Sequence, residues 1–508
     1  MTGSPQKRSC PAFGLRLLLI VVGLCIGLGI MEVVLCVTAD ARLLAPFREP
    51  PAYRKDADGI HLAVLGGSTA RGMPYCEAQE FVAHTDPSRA GPRGIPPFNL
   101  LSFARVVVAQ RHGLRRLPVP AFAAGGWSVE WAMRSYWENA QFKPDVLVLY
   151  AGHNEWTCYY KPTMVAPPEP LSFLGHSQAG SLLLRHLYLQ SGESGEPDPD
   201  RPFLLDEDVP WYEVKHNRWR FKRCLETLIH HCEEEGIFLI MVIAEGNYLW
   251  PPIRCVYAGP ARRRSEAIDL FRQALYYKYC RNDLTRAEAI LRRIAAFCEF
   301  ASLHYELGHI HYLRADFQRA REHLLKARDT AALPHNVTTG CREMMRAVAQ
   351  EHDVPWIDMH PLVTRAIGAE IPDFTAFIDD CHVTPTIYEL LTHEILRVLA
   401  EQGPAKLGLK GYPVPFTRAQ WRYAVGLTEA VDNTARLEEL REIGLQQTDH
   451  SWLKVPRLWI AANHAPGPFK KGTDEWRRRL NYLTAIRHHL EQEKAKLAAS
   501  VTGTPPGQ

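Results

Sequence analysis

The 508-residue chain has no C-x-x-C pair among its 12 cysteines, which leaves a zinc cage or a dithiol redox centre without motif support. It also lacks G-x-x-x-x-G-K-[ST], which argues against phosphate-loop nucleotide chemistry. Net charge is small, +3 from 59 Lys+Arg and 56 Asp+Glu, without the overall basicity that marks a nucleic-acid binder. At 46% hydrophobic and 23% charged, the chain is neither disordered nor collagenous nor mostly membrane. Its length allows about three domains of about 150 residues each, with a core that needs no disulfide staples.

What is present is unevenly placed. From Pro404 onward there are 16 Lys+Arg against 10 Asp+Glu, a mildly basic segment whose bland reading is a solvated helical surface. At the other end, Lys7, Arg8 and Arg16 precede Leu17–Val37, 21 residues that are apolar or glycine except for Glu32. That length suits a helix crossing a bilayer core and exceeds the apolar region of a signal peptide, about 7–15 residues. A signal anchor over residues 1–40 is expected, with the positive flank cytoplasmic and all that follows outside. Cleavage near Ala39-Asp40-Ala41 is the alternative. Leu precedes both Cys25 and Cys36, so neither makes a lipobox. The nine cysteines beyond the anchor are scattered, and most are expected to be buried apolar side chains. Their odd number leaves at least one thiol free or paired between chains.

Four stretches carry chemistry. His61–Leu65 reads as a strand and runs into Gly66-Gly67-Ser68-Thr69. Glycines there permit a tight turn that exposes Ser68 at the C-terminal edge of a parallel sheet, where open α/β sheets place their ligands. Taken alone, Ser68 or Thr69 is as readily a helix cap. Leu117–Ala124 is a second strand candidate, weakened by Pro118 and Pro120. It is followed by Gly125-Gly126-Trp127-Ser128 and a helix over Val129–Gln141. Val146–Tyr150 is a buried-strand run ending in Ala151-Gly152-His153-Asn154-Glu155-Trp156. There Asn154 is either a turn former or a donor to a developing oxyanion. Far along the chain, Asp379-Asp380-Cys381-His382 precedes an amphipathic helix, Thr386–Ala400. The three-residue spacing lets the Asp379 carboxylate orient the His382 imidazole. A metal is not expected, because no second His/Asp pair has supporting spacing.

In this order the four stretches resemble the SGNH, or GDSL-type, hydrolase superfamily. The resemblance covers residues 59–247 and 335–402. It implies a flavodoxin-like α/β fold, a three-layer core with a five-strand parallel sheet and strands His61–Leu65, Leu117–Ala124, Val146–Tyr150, Ile237–Ala244 and Val354–Met359. It implies Ser68 as nucleophile, His382 as base and Asp379 as its orienting partner, with the Ser68 and Gly126 N–H groups and the Asn154 amide around the oxyanion. No cofactor is implied. Two positions depart from the family's pattern: Gly67 replaces the usual Asp before the serine, and Glu155 replaces the usual Asp after Asn154. Glu155 puts local loop packing in doubt.

The remaining segments modify that core. Helices are expected at Val214–Glu235 and around His335–Gln350. Residues 248–334 form a helical insertion in which Ser302–Pro334, with Leu307-Gly308, Phe317, Ala320, Leu324 and Ala327, looks like a tetratricopeptide repeat. A weaker unit around Leu284, Ala287 and Leu291 precedes it. This is similar to a bacterial SGNH branch that carries such an insertion. One or two repeats do not make a solenoid, so the insertion either completes the fold or docks a protein. Residues 404–500 have helical character over Thr417–Glu429, Thr434–Ile443 and Thr473–Ala498. They read as a cap or partner-binding region. Residues 160–210, rich in Pro, Gly, Ser and acids, read as a loop near the site mouth. Trp127, Trp156 and Asn247 are candidate substrate contacts, with ordinary packing as the alternative.

The resulting expectation is an extracytoplasmic, membrane-anchored serine esterase acting on an acyl ester, such as that of an O-acylated glycan, and not on nucleic acid. An O-acyltransferase using the same three residues is the alternative within this chemistry. A catalytically silent scaffold that binds through the helical segments is the alternative outside it.

Overall fold

Every residue of Leu62–Gly66 is buried, and so is every residue of Val146–Ala151. Strands that are apolar on both faces belong inside a parallel sheet covered by helices above and below. These two, β1 and β3, lie at its centre. The computed structural model describes residues 59–155 and 211–503, apart from short interruptions at 87, 90, 93–94, 116, 140–141, 253–254, 256, 332–335, 413–414, 446–450 and 465–470. The expected anchor Leu17–Val37, Trp156 and the 160–210 loop lie outside the described residues. Among the described residues no helix is long and apolar enough to cross a membrane.

In chain order, β1 is followed by a single helical turn α1 (Ser68–Arg71), α2 (Tyr75–Thr85) and α3 (Ser102–Arg111), then β2 (Ala121–Ala123), α4 (Val129–Glu138) and β3. Next come α5 (Trp211–Glu235) and β4 (Phe238–Ile243). The insertion holds α6 (Arg264–Leu275), extended by a π turn over Tyr276–Cys280, then α7 (Leu284–Ala295), α8 (Ala301–Leu313) and α9 (Phe317–Thr330). The core resumes with α10 (Thr339–Glu351), β5 (Trp356–Asp358), α11 (Met359–Ile367) and α12 (Pro385–Gln402). Four helices follow: α13 (Arg418–Ala424), α14 (Glu429–Leu445), α15 (Ser451–Asn463) and α16 (Asp474–Thr502).

The sheet order is β2-β1-β3-β4-β5, and every adjacent pair is parallel. This is the flavodoxin-like doubly wound order, whose ligands bind beyond the carboxyl ends of the strands. Register brings those ends level. Gly66 pairs with Ala123 and with Tyr150, Ala151 with Ile243, and Ile243 with Asp358. All five expected strands are present. The second is shorter than expected because Pro118 and Pro120 cannot donate to a ladder; Pro120 contributes only its carbonyl, to the Val64 N–H at 3.1 Å.

The C-terminal helices differ from the expectation. Thr417–Glu429 is not one helix: it breaks after Ala424, where Gly426 takes φ +74° and a Cβ would meet the Gln79 amide at 2.2 Å. The helix α15 was not expected at all, because Pro456 lies inside it and proline ordinarily disrupts a helix interior. Two cores divide this region. Leu407, Trp421, Val425 and Val431 join the apolar core built on the sheet. Val455, Leu458, Leu483, Ile486 and Leu490 instead join a second core with Ala267, Phe271, Leu291 and Leu303 of the insertion. Within the insertion, α8 and α9 pack closely at Gly308, where a Cβ would lie 2.8 Å from Leu324 Cγ.

Candidate active site

β1 ends in a turn that only glycine can make. A Cβ at Gly66 would sit 1.9 Å from the Tyr150 carbonyl oxygen of β3. One residue on, a Cβ at Gly67 would sit 2.6 Å from Asn154 Nδ2 and 3.0 Å from the Trp127 carbonyl oxygen. Gly67 is therefore the point where the turns after β1, β2 and β3 converge, and its lack of a side chain lets the Asn154 amide lie against the serine turn. Asn154 Nδ2 also donates to Trp127 O at 3.1 Å. Ser68 opens α1 and is 6% exposed. Its carbonyl accepts from the Gly72 and Met73 N–H groups, both at 3.0 Å.

The other half of the site is a turn held from several sides. Asp379 Oδ1 accepts from the Cys381 N–H at 2.9 Å and from the His382 N–H at 2.6 Å. Asp379 Oδ2 pairs with His382 Nδ1. Burial would raise the Asp379 pKa, but the neighbouring His382 and these N–H groups hold its carboxyl below the usual range. With Nδ1 engaged by Asp379, the other ring nitrogen, Nε2, is buried. The turn is closed by the Ile378 N–H donating to His382 O at 2.9 Å. Burial and the Asp379 charge push the adjacent Asp380 up to about 8. The acid-base residues 379–382 place ligand-type atoms within 4.8 Å of one another. Asp379, however, already spends both oxygens on His382 and two backbone N–H groups.

Two links tie this turn to the serine side. Tyr388, six residues after His382, donates its hydroxyl to the Thr69 carbonyl at 2.7 Å. His153, beside Asn154, feels the His382 charge; burial first, and then His382, pushes it down to about 3. Of the residues that sequence reading places in one site, Asn154 lies against the turn that carries Ser68, and Asp379 pairs with His382. Gly126, the other oxyanion candidate, takes φ +71° in the turn after β2, next to Trp127. The Trp127 ring packs partly buried on the main core, and its carbonyl accepts from the Asn154 amide.

Asn247 has a use other than the expected substrate contact. Its side chain donates to the Asp379 carbonyl at 2.9 Å and accepts from the Leu249 N–H at 3.0 Å. Its own N–H donates to the Asp380 carbonyl at 2.8 Å. Asn247 is a positioning residue for the Asp379 turn. Glu155, the doubtful position, is explained by α4: its carboxylate accepts from the Val129 N–H at 3.2 Å, filling an orphan donor of the helix start where Ser128 makes no side-chain cap.

No family model matches the chain, and no curated protein does. Among solved structures, a lipase/acylhydrolase from Enterococcus faecalis aligns at 13% identity over 68% of this chain and 98% of its own, with a TM-score of 0.29. A Bacteroides fragilis protein assigned as an acylhydrolase aligns at 11% identity over 69% and 91%, with a TM-score of 0.27. Likeness at this level carries no argument about the site; the fold rests on the strand order and register above.

Sequence reading missed Glu245, the second residue after β4. It is 0% exposed and receives Arg328 Nη1 at 2.9 Å, Arg342 Nη1, His360 Nδ1 at 2.7 Å and the Tyr248 hydroxyl at 3.2 Å. Burial would raise its pKa, but Arg342, His360 and Arg328 bring it down to about 2. An acid directly after the run FLIMVIA was the available signal. Its partners on α9, α10 and α11 lie 83 to 115 positions away and left none.

Proposed function

We propose that the protein is a serine esterase working through Ser68, His382 and Asp379. The observation that carries this reading is the convergence at Gly67, which sets the Asn154 amide against the Ser68 turn at the sheet edge that also bears the Asp379–His382 pair. In the proposed reaction, His382 Nε2 takes the Ser68 hydroxyl proton as Oγ attacks the ester carbonyl. The Ser68 and Gly126 N–H groups and the Asn154 amide hold the oxyanion. His382 then returns the proton to the leaving alcohol, and water, activated in the same way, releases the acid from Ser68. The substrate class we infer is an O-acylated glycan or related ester outside the cytoplasm, reached by a catalytic region tethered through Leu17–Val37.

A fluorophosphonate probe on the purified protein tests the nucleophile. Labelling is expected in the wild type and is expected to vanish in Ser68→Ala. Equal labelling of both, or none in a folded wild type, would refute the assignment. Asn154→Ala should lower kcat about 10²–10³-fold with a smaller effect on KM, since an oxyanion donor acts mainly in the transition state.

A further inference from the structure

Two helices of the core end side by side, away from the proposed catalytic residues. α5 stops at Glu235, just before β4, and α10 at Glu351, just before β5. β4 and β5 are parallel and α5 packs on α10, so both helix C-termini lie at the amino edge of the sheet. Ser68 follows β1 at the opposite, carboxyl edge. A helix C-terminus carries partial negative charge and favours a cation. Glu226, His230 and Glu233 recur along α5 at spacings of four and three, which puts them on one face. Facing them from α10 is His352, the residue that ends that helix.

The side chains themselves meet. His230 Nδ1 lies 3.3 Å from Glu233 Oε2. The His230 and His352 rings are edge to face, with centroids 5.2 Å apart. One ligand atom from each of His230, Glu233 and His352 falls within 4.8 Å of the other two. Glu226, Glu351 and His352 make a second set of the same kind, but Lys222 already stands 3.2 Å from Glu226 and 3.9 Å from Glu351. Two imidazoles and a carboxylate form a Zn2+ ligand set, with a fourth position for water. Tetrahedral bonds of about 2.0–2.1 Å place neighbouring ligand atoms about 3.3 Å apart, the separation that His230 and Glu233 already have. Both of those side chains are more than half exposed, so they can turn toward an ion without disturbing a core. The imidazoles also select against Ca2+ and Mg2+, which prefer all-oxygen ligands.

We propose that His230, Glu233 and His352 form a Zn2+ site that bolts α5 to α10 at the sheet edge opposite Ser68. The site does not depend on the esterase reading, and none of its residues belongs to the proposed catalytic set. The test is a calorimetric titration of ZnCl2 into the metal-stripped full chain. A site for one Zn2+ per chain is expected. Its affinity should fall about tenfold or more in His230→Gln and in His352→Gln, since losing even an outer partner of a metal ligand costs about 10–100-fold. Glu233→Gln should weaken it as well. Co2+ bound in place of Zn2+ should give the visible absorption of a four-coordinate site in the wild type and lose it in His352→Gln. Because the ion joins two helices that are together only in the folded chain, ZnCl2 should raise the wild-type thermal midpoint and leave that of His352→Gln unchanged. CaCl2 at the same concentration should raise neither. Circular dichroism of the stripped variants, expected to match the wild type, separates loss of binding from loss of fold. A wild type that binds no Zn2+ would overturn the proposal. So would binding that survives both histidine substitutions, which places the ion elsewhere, or Ca2+ acting as well as Zn2+, the behaviour of an ordinary acidic surface.

Discussion

Replacing Glu245 by Gln removes one charge from a place where five donors meet: Gly246 N–H, the Tyr248 hydroxyl, Arg328, Arg342 and His360. The new amide keeps the shape but turns a donor toward donors and leaves two buried guanidiniums short of counter-charge. Two routes give the size of the effect. Breaking a buried ion pair from one side costs about 3–5 kcal/mol. A carboxyl lowered from 4.5 to about 2 corresponds to about 3 kcal/mol, at about 1.4 kcal/mol per factor of ten in proton affinity. The sign follows from the lowered value: Glu245 contributes fully above its ordinary range, and the contribution is lost as pH falls from about 4.5 toward about 2. Urea unfolding followed by tryptophan fluorescence, at several pH values from neutral down into the acid range, should show a wild-type advantage of about 3 kcal/mol at neutral pH that shrinks on acidification. An advantage that is absent, or independent of pH, would refute the claim that charge at Glu245 holds β4, α9, α10 and α11 together.

Gly67→Ala should displace the Asn154 amide, whose Nδ2 lies 2.6 Å from the new Cβ, and lower kcat on a chromogenic ester toward the value for Asn154→Ala; full activity would show that the amide has no part in turnover. Asn247→Ala frees the Asp379 carbonyl and leaves the Leu249 N–H unpaired, which should lower the thermal midpoint by the equivalent of about 1–3 kcal/mol and lower kcat more than it raises KM. Gly308→Val should loosen α8 from α9 and lower the thermal midpoint, while Gly236→Ala, at φ +66° with open space around it, should cost only the strain of its turn, about 1 kcal/mol; equal losses would contradict the close approach.

The sheet was readable because its central strands are buried on both faces and therefore stand out as unbroken apolar runs, and because Gly66-Gly67 and Gly126 mark the turns after β1 and β2. The proposed catalytic set has local signatures of the same kind: each member sits just after a strand or before a helix, where local pattern is strongest. Strand edges were less legible. Val354–Met359 shrinks to Trp356–Asp358 because Pro355 gives only its carbonyl to Met241 and Asp358 already caps the next helix at the His360 N–H. Contacts between distant segments left no local mark. Asn247 looked like a rim residue because the Asp379 carbonyl it holds lies 132 positions away. The helix α15 was invisible because Pro456 lies inside it.

The second core has a consequence for how this chain can be cut or recombined. Its apolar residues come from two stretches, one before β5 and one at the far end of the chain, and neither buries its face without the other. A chain shortened after α14 would keep every proposed catalytic residue yet strip the insertion of its cover, turning Phe271, Leu291 and Leu303 toward water and inviting aggregation. Grafting the insertion alone onto another doubly wound domain would fail in the same way. The two stretches therefore travel as one exchangeable module, interrupted in sequence by β5 and the Asp379–His382 turn but indivisible in three dimensions.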